Sequence, residues 1–115
     1  MESLITAVLF LRPWKPLSDS GAKFFEAELA RELVPHHLLH SHRTCAVAIT
    51  VESDDVLYRL EDGSFAQVHL THARNPAETV TSFPRTRTFE TLVDWMITVM
   101  LPDHVDHFGL WDDGW

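Results

Sequence analysis

The chain has a single cysteine, few basic residues and no long hydrophobic run. Cys45 stands alone among 115 residues, so no internal disulfide can form, and a reducing cytoplasm is the expected location. The apolar run from Leu4 to Leu11 covers only eight residues, whereas a membrane-spanning helix needs ~20. Glu2 precedes it where a secretory signal would be basic. We predict a strand or a segment packed on the core, with a membrane anchor as the alternative and no membrane partner expected.

Positive charge is also scarce. Lysine and arginine total nine against 17 acidic residues, which gives a net charge of −8. Nucleic-acid binding depends on a cationic stripe that displaces counterions from phosphates, and Arg85 with Arg87 is the only close basic pair. We therefore predict no nucleic-acid partner. The acidic surplus favours solubility and, where a partner exists, a basic one.

Motifs that would name a chemistry are missing from the sequence. It contains no phosphate loop, nucleophile elbow, dinucleotide fingerprint or HExxH zinc motif. We predict no catalytic residue and expect no cofactor, so a protein without enzymatic activity is the favoured interpretation. The length and the 45% hydrophobic content predict a single folded domain over residues 1–115.

Periodicity and turn residues divide the chain into predicted elements. Proline-rich residues 12–20 read as an irregular link, and 103–115 as an acidic, aromatic tail that is either mobile or packed. Two helices are predicted, one over 21–34 and one that Thr88 caps and Pro102 ends. The second helix has a broad apolar face with Trp95 at its edge, formed by Phe89, Leu92, Val93, Met96, Ile97 and Met100. The predicted strands cover 45–51, 56–60 and 65–71, and residues 72–87 form a long connection.

The hairpin around Asp62-Gly63 allows two registers. A two-residue loop pairs Leu60 with Phe65, whereas a three-residue loop with a left-handed Gly63 pairs Leu60 with Ser64. A shift of one residue moves every side chain to the other face, and the longer loop gathers far more apolar surface on one face. We predict the longer loop. The shared apolar face then holds Val56, Tyr58, Leu60, Ala66, Val68 and Leu70, and the opposite face holds Leu57, Arg59, Phe65, Gln67 and His69.

These elements predict an α+β fold. A three-stranded antiparallel meander, extended to four strands in the alternative, packs against the C-terminal helix, with the N-terminal helix nearby. Leu57 and Phe65 on the second face of the sheet need cover. A helix, the N-terminal run or the partner subunit of a homodimer could supply that cover.

Several stretches resemble a family of small, largely uncharacterised bacterial proteins. The resemblance is carried by "DDVLYRLEDG", "FAQVHLT", "FPRT" and "MLPDH", with "ELVPHHLLH" upstream, and it covers about two thirds of the chain. It implies a compact α+β fold and a bacterial, cytoplasmic setting, and it implies no particular activity. The family often has a tryptophan directly after "VHLT", where this chain has His72, so no role of that tryptophan transfers.

Eight histidines supply nitrogen ligands that could bind a metal. Four of the eight histidines lie between His36 and His42, in a stretch that follows a proline and reads as an exposed loop. Two H-x-x-H pairs could form a zinc site if they meet in space, since zinc takes three or four converging ligands. Their residues are His69, His72, His104 and His107. A metal-binding protein or metal-dependent hydrolase that uses these pairs, with zinc as the cofactor, is the alternative function.

Other reactive groups have structural explanations. Cys45 opens an apolar strand, where cysteine behaves as a small buried hydrophobe, so a Cys45–His42 nucleophile is not favoured. The acidic pairs 54–55 and 61–62 lie in turns, where aspartate stabilises the turn itself.

The favoured function is that of a small soluble bacterial protein that acts as an acidic interaction or accessory protein. It would neutralise or regulate a basic partner or self-associate, with a homodimer as one form. Aromatic residues are enriched at interfaces, so the predicted contact residues lie in the tail: Trp111, Asp112, Asp113 and Trp115. A small-molecule binder that uses the 72–87 connection as a lid is the third possibility.

Overall fold

The structure is a computed structural model that describes residues 10–33, 37–50, 53–70 and 85–107. Its centre is a five-stranded antiparallel sheet with the strands in sequence order. The strands are β1 (Trp14–Pro16), β2 (Thr44–Thr50), β3 (Asp55–Leu60), β4 (Phe65–His69) and β5 (Arg85–Phe89). The α+β class is therefore confirmed, with more strands than the sequence predicted.

Two helical segments flank the sheet. Helix α1 covers Asp19–Glu32. The second segment, residues 92–107, is continuous and is called the C-terminal helix below. It consists of α2 (Leu92–Trp95), a π-helical stretch (Met96–Met100) and α3 (Leu101–His107).

Each face of the sheet carries its own hydrophobic core. Helix α1 covers the first face, where Leu29 packs on the inward side chains of β3 and β4. The C-terminal helix covers the second face, where Trp95, Val99 and Met100 pack with Leu57 and Phe65. The domain therefore has three layers, because both faces of the central strands are apolar and each needs a cover.

This arrangement corrects the predicted placement of the helices. The meander was expected to pack against the C-terminal helix with the N-terminal helix only nearby, but both helices pack on the sheet. Helix α1 covers the face formed by Val56, Tyr58 and Leu60, and the C-terminal helix covers the opposite face. The requirement for cover over Leu57 and Phe65 was correct, and the chain itself supplies it. Phe10 and Leu11 also pack into this second core, as the N-terminal run was expected to do.

The hairpin between β3 and β4 has the predicted three-residue loop. Arg59 pairs with Phe65, and the Leu60 N–H donates to the Ser64 carbonyl at 2.8 Å. Gly63 has φ of 90°, a left-handed conformation that favours glycine. The carboxylate of Asp62 accepts from the Ser64 N–H at 2.9 Å and closes the turn. The register predicted from burial is confirmed.

The two edge strands lie where the sequence predicted loops. β1 falls inside the predicted 12–20 link, and it pairs with β2 from Trp14↔Thr50 to Pro16↔Ala48. β5 takes up Phe89, which was expected in the helix, and pairs with β4 from Phe65↔Phe89 to His69↔Arg85. Both predictions were wrong, because these strands are short and only pairing with distant residues stabilises them.

The predicted helix ends also need correction. Ser18 caps α1 by accepting from the Gly21 N–H, so α1 begins at Asp19 rather than Gly21. Thr91, not Thr88, caps the C-terminal helix by accepting from the Asp94 N–H at 3.0 Å. That helix passes through Pro102, where the π-helical hydrogen bonding returns to the α pattern and a residue without an N–H is tolerated.

Two hydrogen bonds fix α1 on the first face. The Tyr58 hydroxyl donates to the Phe25 carbonyl at 2.7 Å, and the Glu26 carboxylate accepts from the Ala46 N–H at 2.9 Å, beside a register shift in the β2–β3 pairing. Burial raises the pKa of Tyr58 far above its ordinary value of 10.0, and the negative charge of Glu32 adds to the effect. The hydroxyl therefore remains a proton donor.

Candidate functional site

A chain of polar side chains crosses the second face from the core to the surface. The buried Trp95 indole N–H donates to Gln67 Oε1 at 2.9 Å, and Gln67 Nε2 donates to Asp55 Oδ2 at 3.0 Å. The other carboxylate oxygen, Asp55 Oδ1, lies 2.6 Å from His69 Nδ1. The His69 side chain is 52% exposed and that of Asp55 is 23% exposed. The network thus ends in a solvent-accessible imidazole held by a fixed carboxylate.

Strand register places two arginines beside this network. Arg85 on β5 lies directly opposite His69, and Arg87 lies directly opposite Gln67. Opposed residues of antiparallel strands point to the same face, with Cβ atoms about 5 Å apart. Asp55, His69 and Arg85 therefore occupy one row of opposed positions across β3, β4 and β5, with His69 in the middle. We call this row, together with Gln67 and Arg87, the His69 site.

The outer side of the C-terminal helix forms a second candidate surface. Val93, Ile97 and Leu101 recur every four residues and are 59%, 61% and 43% exposed. We call these three residues the apolar stripe. Exposed acids lie along the same segment at Glu90, Asp94 and Asp106, and residues 88–107 contain no lysine or arginine. The surface is thus apolar with acidic flanks.

A shallow pocket lies between β1 and the end of the C-terminal helix. Its volume is about 260 Å³, and Arg12, Pro13, Lys15 and His107 line it. Two hydrogen bonds join its walls. Trp14 Nε1 donates to Asp103 Oδ2 at 2.8 Å, and His104 Nδ1 donates to the Arg12 carbonyl at 2.8 Å. These bonds stabilise the contact of the helix with the edge of the sheet.

The histidines proposed as metal ligands are divided between distant parts of the sheet. His69 lies on β4, whereas His104 contacts Arg12 next to β1. Three strand spacings separate β1 from β4, which is about 14 Å. No three metal-ligating side chains converge among the described residues, and His72 lies outside them. The zinc hypothesis stays a prediction.

The histidine-rich stretch has structural contacts in its described part. His37 is buried, and its Nδ1 accepts from the Leu39 N–H at 3.1 Å. His42 Nδ1 lies 2.9 Å from Oε2 of Glu61, the first residue of the β3–β4 turn. Cys45 is exposed, which corrects the expectation of a buried thiol, and the residue opposite it on β3 is Arg59 rather than an apolar one.

The His42–Glu61 pair gives a pH-dependent prediction. The backbone N–H of Glu61 itself, the His42 ring and the Arg43 N–H hold the pKa of Glu61 below its ordinary 4.5. The ionised carboxylate therefore stabilises the fold above about pH 4.5, and this contribution disappears as the pH falls through the folded-state pKa. We expect Glu61→Gln to lose less melting temperature than the wild type between pH 5 and about pH 3. Exposed Glu90→Gln is the control, and parallel curves for Glu61→Gln and the wild type would contradict the assignment.

The four predicted contact residues of the tail, Trp111, Asp112, Asp113 and Trp115, lie outside the described residues. Of the predicted tail, 103–107 belong to α3. The proposed lid, residues 72–87, is described only from Arg85 onward, where it forms β5.

The fold and these surfaces define an antiparallel α+β domain with a helix on each face of its sheet. Comparisons with known protein families, curated proteins and solved structures find no match to this chain. None of the helices within the described ranges is long and apolar enough to cross a membrane.

Sequence reasoning placed Gln67 and His69 on the correct face but did not recognise the His69 site. The alternation of Phe65, Gln67 and His69 on β4 was the available signal, since polar residues on a covered face need partners. Asp55 was read as a turn residue and Trp95 as an edge residue, and neither reading suggested that they contact Gln67.

Proposed function

We propose that the protein is an acidic interaction or accessory protein that binds a basic protein partner in the bacterial cytoplasm. Its contact surface is the apolar stripe of the C-terminal helix with the flanking acids. The observation that carries the proposal is the exposure of Val93, Ile97 and Leu101 on one side of a helix that packs on the sheet through its other side, where Trp95, Val99 and Met100 are buried. Exposed apolar patches with polar rims mark interaction sites.

Charge complementarity favours a basic partner over a second copy of the chain. The stripe is flanked by Glu90, Asp94 and Asp106, and two such surfaces would bring like charges together. A partner with an apolar centre and a lysine- or arginine-rich rim fits both features. Neutralisation of such a partner agrees with the net charge of −8.

We include the tail in the proposed surface. Residues 108–115 follow the C-terminal helix directly in the chain and continue its apolar and acidic composition. Trp111 and Trp115 would add aromatic contacts, with Asp112 and Asp113 beside them.

A single substitution in the stripe tests the proposal. Ile97→Asn removes the most exposed apolar side chain of the stripe, and we expect it to reduce partner capture at least about tenfold, as a central contact residue would. The matched control is Thr98→Asn, because Thr98 is exposed and adjacent. Both variants should keep the wild-type melting temperature.

Capture from a bacterial lysate is compared for the three proteins, and each retained protein is then purified and titrated by calorimetry. Dependence on Ile97, together with affinity that falls as salt rises, supports the proposal. A partner retained equally by Ile97→Asn and the wild type would place the contact elsewhere. Sedimentation velocity distinguishes self-association from binding of another protein. If the wild type is a dimer and Ile97→Asn is a monomer, the partner at this surface is a second copy of the chain rather than a basic protein.

A further inference from the structure

We propose that the His69 site is a proton-transfer site at which His69 acts on a small, negatively charged substrate. This inference is independent of the interaction surface, because the His69 site and the apolar stripe share no residue. It depends on three features: the hydrogen bond that orients the imidazole, the buried groups that hold the carboxylate, and the arginines across from them.

The hydrogen bond determines which ring nitrogen can react. An ionised Asp55 can only accept, so His69 Nδ1 donates to it across 2.6 Å. In the neutral ring the lone pair is then on Nε2. The side chain is 52% exposed, so solvent and small molecules reach the ring. A carboxylate in this position also stabilises the imidazolium that forms when Nε2 takes a proton.

Asp55 is held in position by hydrogen bonds from buried side chains. Its second oxygen accepts from Gln67 Nε2, and Gln67 is itself oriented by the indole N–H of Trp95. Gln67 is 9% exposed and Trp95 is 0% exposed. Preorganised supporting groups of this kind distinguish a functional histidine from a surface ion pair, which usually contributes little. Asp55 and Gln67 are positioning residues in this proposal.

The arginines define the class of substrate. Arg85 lies opposite His69 and Arg87 lies opposite Gln67, on the same face of the sheet. Guanidinium groups bind carboxylates and phosphates in a bidentate geometry. They bring two positive charges to the His69 site, which holds one carboxylate, Asp55, in a chain of net charge −8. A substrate with a carboxylate or phosphate group near its reacting atom fits this arrangement.

The step is general-base catalysis of hydrolysis. A water O–H bond breaks as its oxygen bonds to the carbonyl carbon of an ester, and the proton goes to His69 Nε2. The ester C–O bond then breaks, and its electron pair leaves with the alcohol oxygen. The imidazolium returns its proton to the leaving group or to solvent, so no oxidant, metal or further reactant is required.

The chain contains a matched control for this histidine. His42 also pairs its Nδ1 with a carboxylate, Glu61, at 2.9 Å. The Glu61 side chain is 45% exposed, compared with 23% for Asp55, and its second oxygen accepts from the Arg43 N–H rather than from a buried side chain. The two pairs thus differ in their supporting groups and not in the identity of the base.

The experiment measures hydrolysis of two chromogenic esters, neutral 4-nitrophenyl acetate and anionic mono-4-nitrophenyl succinate, by the full chain at pH 7.5. We expect His69→Gln to lower the second-order rate constant for the anionic ester about tenfold or more, as loss of a general base does, and His42→Gln to leave it unchanged. Equal rates for the wild type and His69→Gln, or equal losses in the two variants, would overturn the proposal. The side chains of His69 and His42 are 52% and 30% exposed, so neither substitution empties a core position and both variants should fold, which a thermal melt verifies.

Two further measurements test separately how Asp55 orients the imidazole and how the charge of Arg85 contributes to substrate binding. Asp55→Asn should shift His69 from the Nδ1–H to the Nε2–H tautomer in ¹⁵N NMR spectra and lower the rate constant for the anionic ester, and a shifted tautomer with an unchanged rate constant would show that Asp55 has only a structural role. Arg85→Gln should lower the rate constant for the anionic ester by a larger factor than that for the neutral ester, and equal factors for the two esters would contradict a role of Arg85 in binding the anion. Succinate and inorganic phosphate, added as inhibitors, show which anion binds better, and no inhibition by either would contradict an anionic substrate.

Discussion

Replacement of Trp95 by alanine is expected to lower the free energy of unfolding by about 3–5 kcal/mol. Trp95 has no exposed surface and packs edge-to-face on two other rings. Its ring centroid lies 4.9 Å from that of Trp14 and 5.9 Å from that of Phe10. The substitution leaves a cavity that the C-terminal helix and β1 cannot both close. Since a domain of this size is stable by about 5–15 kcal/mol, the substitution would remove a large part of its free energy of unfolding.

Urea unfolding followed by circular dichroism measures this loss. Thr98→Ala is the control, because Thr98 lies exposed on the same helix and its loss should change stability by less than about 0.5 kcal/mol. A second variant, Trp95→Phe, keeps an aromatic ring but leaves Gln67 Oε1 without its hydrogen-bond donor. We expect this loss to lower the free energy of unfolding by about 1–3 kcal/mol. The same change should cost less in a Gln67→Leu background. Equal costs in both backgrounds would show that the hydrogen bond adds nothing to stability.

Leu57→Ala is expected to cost about 2–5 kcal/mol, because Leu57 is fully buried between β3 and the C-terminal helix. Its neighbour Val56 is equally buried on the opposite face, in contact with the core under α1. Adjacent residues of a strand point to opposite faces, so only a sheet covered on both sides buries both. Val56→Ala should therefore also be destabilising, by an amount of the same order.

Urea unfolding of Leu57→Ala, Val56→Ala and a surface control distinguishes three layers from two. Cys45→Ala is the control, since Cys45 is exposed on the neighbouring β2 and should change stability by less than about 0.5 kcal/mol. A tolerated Leu57→Ala beside a damaging Val56→Ala would mean that the C-terminal helix does not cover the second face.

The central hairpin could be predicted from the sequence because its determinants are local. Gly63 allows the left-handed turn, and the alternation of apolar side chains on both sides of it selects one register. The same alternation placed Leu57, Phe65, Gln67 and His69 on the second face. No distant residue was needed for these inferences.

The edge strands show where local patterns fail. β5 reads "RTRTF", a polar sequence that only pairing with β4 turns into a strand. Phe89 fits the helical stripe equally well by spacing, so the predicted helix began too early. The apolar residues predicted to share one face of this helix also lie on different sides of it. Leu92, Met96 and Met100 face the core, whereas Val93 and Ile97 face the solvent.

The sequence by itself determined the α+β class, the hairpin register, the two faces of β3 and β4 and the acidic charge, since all of these follow from composition or from neighbours within a few residues. Only the tertiary structure decided which helix covers which face, which strands close the edges, and that Asp55, Gln67 and Trp95 support His69. Those features join residues far apart in the chain, and a hydrogen bond such as Trp95 to Gln67 has no counterpart in sequence spacing.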